Sequence, residues 1–345
     1  MSRLKRIKVA RIFLVALLVV AITPVIAVAD DAVEGNSSFW PNIFEGGTAS
    51  FGLRLRGVRD DNGFESTRGQ HGALLTHVRA GLDWQLIDAL KLVINVQDAR
   101  VLGNNDLDLE ASPNRNADSF DLHEFYLSTQ ESIIGIPFSL FLGRQKIAVG
   151  SGRILGKKSW SNTGDFLFDG ASVHVGEVGR SLDVYGLLSV GVNPTGMNLY
   201  DKVENRYSDN VVYGVYYRDS KFFEGHNLDF YAQMRSSASH DDSVMTLGAA
   251  YNHQFDTIIM DAEIAAQFGK YDGRTHRASM VNAGLTYPLE EGSFGVSYTL
   301  ATGDSDPDDD LSGGFDPGFG DRHKFLGMMD YFMLRNVQSI KFDSS

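Results

Sequence analysis

Residues Met260 to Phe268 read MDAEIAAQF, with Met260, Ala262, Ile264, Ala266 and Phe268 on one side of an extended chain and Asp261 and Glu263 on the other. Successive side chains of a strand point to opposite faces, so this spacing predicts a strand with one apolar and one polar face. The same period recurs in both directions. Downstream it runs through Val281, Ala283, Leu285 and Tyr287, then Phe294, Val296, Tyr298 and Leu300. Upstream it runs through Met245 to Tyr251, Leu228 to Met234, Val211 to Tyr217, Leu92 to Val96, Val78 to Trp84 and Phe51 to Leu55. Counting every such run predicts about thirteen or fourteen strands. Sandwich strands usually hold five or six residues, whereas these runs reach about ten, the length a tilted strand needs to cross a bilayer. Aromatic residues gather at the ends of the apolar faces, as Trp84, Tyr217, Tyr251, Phe268 and Tyr287 do. The fold class that follows is all-β, a transmembrane antiparallel β-barrel, because only closure satisfies every backbone group in lipid.

The first 29 residues read as a separate segment. Arg3, Lys5, Arg6, Lys8 and Arg11 precede an apolar run from Ile12 to Ile26, and Ala27-Val28-Ala29 is a small-residue cleavage site before Asp30. This is the pattern of a secretory signal peptide, with residues 30–345 as one outer-membrane barrel domain. The whole chain carries a formal charge of −13, and removing the basic leader makes the remainder more acidic still. An acidic exported chain is not a nucleic-acid binder. With no cysteine, disulfides, thiol chemistry and thiolate metal sites are excluded.

The connections divide into two classes. Leu86 to Ala89 and Tyr287 to Gly292 are tight and belong on the periplasmic side; residues 56–73, 102–120, 147–166, 192–209 and 302–324 are long and belong outside. The third long connection lies within Gly143 to Gly170, GRQKIAVGSGRILGKKSWSNTGDFLFDG, which sets Arg144, Lys146, Arg153, Lys157 and Lys158 among glycines. Long loops of this composition are often functional. The last contains Asp304 to Asp310, DSDPDDD, but Asp309 stands where a calcium-binding EF-hand loop needs glycine and Phe315 where it needs glutamate. No cofactor is expected; Asp304, Asp306 and Asp308 could gather a divalent cation only loosely.

Several phrases together resemble the alginate-export family of outer-membrane barrels. They are Gln97-Asp98-Ala99-Arg100-Val101, Gly143-Arg144-Gln145 with Trp160-Ser161-Asn162-Thr163, Phe168-Asp169-Gly170, Ala301-Thr302-Gly303-Asp304, and His323 to Gly327 through Asp330-Tyr331-Phe332. The resemblance implies a monomeric barrel of about eighteen strands whose electropositive lumen passes a polyuronate outward, passively and without enzyme chemistry. It also implies contact with outer-membrane lipid and lipopolysaccharide, and with periplasmic export components. Two features depart from it. Where the family has Arg-Glu before an aromatic, this chain has His123-Glu124-Phe125, so a permanent charge is missing there. The chain also stops at Phe342-Asp343-Ser344-Ser345 with fewer strands. The expectation is a domain incomplete at its C-terminus that does not insert stably alone, since closing at about fourteen strands demands a new radius, shear and tilt; a smaller barrel is the alternative.

Alternation places Arg54, Arg56, Arg79, Lys91, Arg218 and Arg235 on lumenal faces, together with Asp83, Asp229, Asp261 and Glu263. The family phrases add Arg100, His123, Glu124, Arg144 and Arg153 as pathway candidates. Guanidinium groups suit carboxylates because the planar forks match and the charge persists at any physiological pH. Export of an anionic, alginate-like polysaccharide is the leading reading, and a general or anion-selective porin for small solutes is the alternative. A barrel enzyme ranks behind both: Ser172 with His174, and His240 beside Asp241 and Asp242, are pairings any barrel produces by chance.

Overall fold

A computed structural model describes residues 47–60, 71–103, 117–157, 161–191, 209–223, 225–237, 239–306, 308–321, 324–325 and 333–344. The expected signal peptide, Trp160, His323 and Leu326 to Phe332 lie outside the described residues. The strands are β1 (Gly47–Asp60), β2 (His71–Ile87), β3 (Leu90–Gly103), β4 (Asp118–Ile133), β5 (Ile136–Gln145), β6 (Leu167–Glu177), β7 (Arg180–Val190) and β8 (Asn210–Asp219). They continue as β9 (His226–Ser237), β10 (Asp242–Phe255), β11 (Ile258–Tyr271), β12 (Arg274–Leu289), β13 (Gly292–Ala301), β14 (Leu311–Ser312) and β15 (Val337–Ser344).

All belong to one sheet that runs β1 to β13 in chain order and then β15, each strand antiparallel to the next. The two-residue β14 pairs parallel to β12. Consecutive antiparallel pairing is what short turns impose. Ile134-Gly135, Val178-Gly179, Asp256-Thr257 and Glu290-Glu291 close hairpins at one end. The long connections all leave the other end, which is the extracellular arrangement of outer-membrane barrels. Among the described residues no pairing joins β1 to β15.

The outer face is apolar and open, as a lipid-facing wall must be. Leu53, Leu142, Val215, Leu247, Ile264, Leu285 and Ile340 are all exposed there. Phe255, Tyr287, Phe294 and Phe342 form the aromatic border toward the short turns, and Phe120, Tyr213 and Phe268 the border toward the long loops. The inner face is where burial and polarity coincide: His77, Gln97, Gln233, Glu263, Gln267 and Asn282 are buried.

What buries them is chain that folds back into the lumen. In the β5–β6 connection, Ile154 packs with Ala265, Met280, Phe315 and Leu334, and Leu155 with Phe168, Leu187, Val212 and Phe319. Phe315 and Phe319 come from the β13–β15 connection, so two loops share these clusters. Backbone hydrogen bonds join them, Gly156 N to Phe319 O at 3.0 Å, Phe319 N to Ile154 O at 3.0 Å and Asp321 N to Gly152 O at 2.9 Å. The Phe319 ring meets Phe168 and Phe166 edge-on at 5.0 and 5.2 Å. The two loops therefore form one apolar-centred plug between opposite inner walls.

Candidate functional site

On the wall made by β1 to β4, polar side chains of one strand meet those of the next. Arg79 Nε donates to His77 Nε2 at 3.0 Å, and His77 Nε2 lies 3.2 Å from Gln97 Oε1. Gln97 Nε2 donates to Asp118 Oδ2 at 2.6 Å and to the Thr163 carbonyl at 2.9 Å. Arg54 Nη2 donates to the Ser161 carbonyl at 2.6 Å, and Asn162 Nδ2 to the Thr76 carbonyl at 3.1 Å. Residues 161–164 thus lie against this wall through the carbonyls of Ser161 and Thr163 and the side chain of Asn162. Gly164 makes the approach possible: a Cβ there would stand 2.7 Å from the Arg79 guanidinium and 2.8 Å from the His123 ring.

A bulge shapes the same wall. Asn95 pairs with Glu124 while Val96 pairs with Leu122, so His123 is an extra residue on β4. His123 and Glu124, though adjacent, are both buried and turned inward, which simple alternation forbids and a bulge permits. Glu124 accepts from Asn95 Nδ2 at 2.9 Å and pairs with Lys146 Nζ at 3.2 Å.

The opposite wall, β9 to β13, holds the plug by charge. Arg153 Nη2 donates to Asn282 Oδ1 at 2.5 Å, and its Nε stands 3.1 Å from Glu263 Oε2 without hydrogen-bond alignment. The Phe325 ring covers the guanidinium carbon at 3.9 Å. Burial pushes the Arg153 guanidinium below its ordinary value, while Glu263 and then Asp261 pull it back up. Arg235 is held more tightly. Its donors reach Asp316 Oδ2 at 2.6 and 3.0 Å, Asp242 Oδ2 at 3.0 Å and Asn210 Oδ1 at 2.6 Å, and its side chain is 3% exposed.

Beneath Arg153 the inner wall leaves a polar cavity of about 140 Å³, lined by Arg153, Lys324, Lys341, Asp261, Asn282 and Phe325 among others. Gly284 opens part of it, since a Cβ there would press on the Asp261 carboxylate.

The sequence candidates therefore separate into groups. Arg54, Arg56 and Arg79 lie on the inner face as alternation predicts, and so do His123, Glu124 and Arg153. Arg235 is on the inner face but enclosed by carboxylates. Arg218 points inward near the short turns, forked onto Asp229 at 3.0 and 3.2 Å. Two candidates are corrected. Arg100 shares the outer face with the exposed Leu102 and chelates Asp98 on its own strand at 2.5 and 2.8 Å. Arg144 stands opposite Phe125 and Asp169 opposite Leu188, and both apolar partners are exposed on the outer face, so register assigns the Arg144–Asp169 pair to that face, although the Arg144 side chain is itself buried, 8% exposed. Its two hydrogen bonds measure 2.8 and 2.9 Å, and a third reaches the Leu122 carbonyl at 3.2 Å. The adjoining Gly143 has φ 131° and a Cβ there would overlap the Phe125 carbonyl, which accounts for glycine before Arg144.

Asp304 pairs with Arg274 at 3.1 Å, while Asp306 and Asp309 accept backbone N–H groups of their own loop. Ser172 donates to Gln145, and His174 pairs with Asp183 at 2.7 Å, so these two belong to separate cross-strand contacts. Sequence reasoning did not single out Lys324, Phe325, Lys341 or Asn282 for the site. Alternation put Asn282 inward, but no local signal connects it to Arg153, 129 residues away.

A profile of the family described as alginate export matches residues 48–345. Pseudomonas aeruginosa OpdO is similar in structure, with a TM-score of 0.58 at 14% identity over 86% of this chain and 74% of that one. Acinetobacter baumannii OccAB1 gives 0.57 at 12% identity over 86% and 74%, and Pseudomonas aeruginosa OccK8 (OprE) 0.55 at 11% over 86% and 77%. At these identities the likeness concerns the fold, that of outer-membrane β-barrel porins. No curated protein matches the chain.

Proposed function

The chain belongs to the alginate-export family and is an outer-membrane β-barrel channel, and on that footing we propose that its cargo is an anionic polysaccharide of the polyuronate class. The polymer, delivered by periplasmic export components, passes outward by passive conduction along the inner wall beside the plug. The observation that carries this reading is the cavity lined by Arg153, Lys324, Lys341 and the Phe325 ring together with Asp261 and Asp343, in which Lys341 pairs with Asp343 at 2.7 Å. Lys324, which donates to the Ser151 carbonyl at 2.9 Å, suits a carboxylate-bearing sugar, and the aromatic ring offers an apolar surface for the sugar face. Solvated pairs of this kind contribute only about 0.2 to 1 kcal/mol each. Weak contact is what conduction needs, since a site must admit and release. Family and neighbours are channels rather than enzymes, and we assign no reaction.

Planar-bilayer recordings test the reading. We expect anion preference in the reversal potential under a salt gradient, and block of the current by an oligo-uronate added on the short-turn side. Equal block by a neutral oligosaccharide of the same length, or preference for cations, sinks it. The second reading, a general or anion-selective porin for small solutes, is favoured by the plug itself, whose two loops pack against inner-face side chains. Anion-selective current that no oligo-uronate blocks would select that reading.

A further inference from the structure

Several charges on the outer face of the strands come in pairs. Arg100 is paired with Asp98, Arg144 with Asp169 and Arg180 with Asp219, at 2.5, 2.8 and 3.0 Å. Arg277 on β12 is exposed and makes no hydrogen bond or ion pair to any described residue. Register places it opposite Phe268 of β11, whose ring is exposed on the outer face. Lys270 lies two residues further up β11, opposite Thr275 on one side and Ser243 of β10 on the other. Asp241 stands 3.9 Å from Lys270, with both side chains largely in solvent.

Height along the barrel decides what this pair meets. Arg277 is ten residues from Tyr287, which marks the aromatic border toward the short turns. Ten residues at about 3.3 Å, tilted by about 40°, rise about 25 Å, the height of the apolar band of such barrels. Below Arg277 the outer face reads Ser279 and then Val281, Ala283 and Leu285, and above it lies the turn Asp272-Gly273. Arg277 and Lys270 therefore sit at the extracellular edge of the hydrocarbon layer, where a lipid-facing cation costs least and headgroup phosphates lie.

We propose that Arg277 and Lys270, with Phe268 beneath them and the hydroxyl-bearing Ser243 and Thr275 beside them, form a docking site for the phosphorylated sugar headgroup of an outer-leaflet glycolipid. The cations take the phosphate, Ser243 and Thr275 take sugar hydroxyls, and Phe268 lies against the first acyl carbons. The proposal is independent of what the lumen carries.

The full chain, reconstituted in nanodiscs of neutral phospholipid, is titrated with lipid A, with the same lipid stripped of its phosphates, and with inorganic phosphate, binding being read by native mass spectrometry. Lipid A is expected to bind, weakening roughly fivefold for each cation removed in Arg277→Gln and Arg277→Gln with Lys270→Gln. Arg277→Lys, which keeps the charge, retains most of the binding. The stripped lipid is expected to bind the wild-type chain no better than lipid A binds the double variant, and inorganic phosphate displaces neither. Equal binding of the two lipids, full binding by the double variant, or displacement by inorganic phosphate overturns the proposal. If the double variant does not insert, the comparison of the two lipids on the wild-type chain decides alone.

Discussion

The plug touches two walls, and it is held to them by different means. Against β1 to β4 it presents mostly uncharged groups, the backbone carbonyls of Ser161 and Thr163 to Arg54 and Gln97, with the ion pair Lys146–Glu124 at its edge. Against β9 to β13 it presents charge, Arg153 to Glu263 and Asp316 to Arg235. A carbonyl satisfies a donor without cancelling its charge, whereas a carboxylate cancels it. The β9 to β13 wall thus exchanges the field of its arginines for mechanical attachment. An arginine count along the lumen overstates the charge that a passing solute meets.

The comparison is broken most severely at Arg235. Arg235→Met leaves Asp242 and Asp316 buried against each other, and a loss of about 3 to 5 kcal/mol is expected, read from urea unfolding of the inserted protein in detergent; a loss below about 1 kcal/mol would show that the cluster is solvated. Next is Arg153→Glu, which sets a carboxylate beside Glu263 and should release the joined loops from this wall. Single-channel conductance is then expected to rise severalfold, and unchanged conductance would mean that the plug is held elsewhere.

Arg144→Ala separates structure from permeation. Removing charged hydrogen bonds to a half-solvated Asp169 should cost about 1.5 kcal/mol, yet leave the reversal potential where it was, because register turns the pair outward. A shift toward cation preference would return Arg144 to the lumen. Arg54→Ala should cost about 1 kcal/mol and shift the reversal potential modestly toward cations, testing whether the carbonyl-bound wall keeps its field. The smallest effect belongs to Arg100→Gln, whose exposed outer pair is worth about 0.2 to 1 kcal/mol. Neither conductance nor selectivity should respond to it, and a response of either would place Arg100 on the solute's path.

Period-two spacing was enough to assign Arg54, Arg79, Glu263 and Asn282 to the inner face and Leu53, Ile264 and Leu285 to the outer one. Alternation is a property of single strands, so it can be read from neighbours in the chain. It failed at the ends of strands and at irregularities. His123 and Glu124 face the same way because β4 carries an extra residue, which depends on how β3 pairs with it. Arg144 follows Gly143 at the end of β5, and its face is set by pairing with Phe125 and Asp169. The family phrases around Arg100 and Arg144 pointed to these residues without saying which side of the wall each side chain takes.

By itself, then, the sequence determined the barrel class, the two faces of its strands, and which end carries the long connections, since each follows from short-range period and turn chemistry. Only the tertiary structure decided that the β5–β6 and β13–β15 connections turn inward and join, that Arg153 finds Asn282 across 129 residues, and that Arg235 is enclosed by Asp242 and Asp316. Those contacts arise from burying Ile154, Leu155, Phe315 and Phe319 together, and the free energy of burying apolar side chains depends on which partners the fold brings close, not on their spacing along the chain.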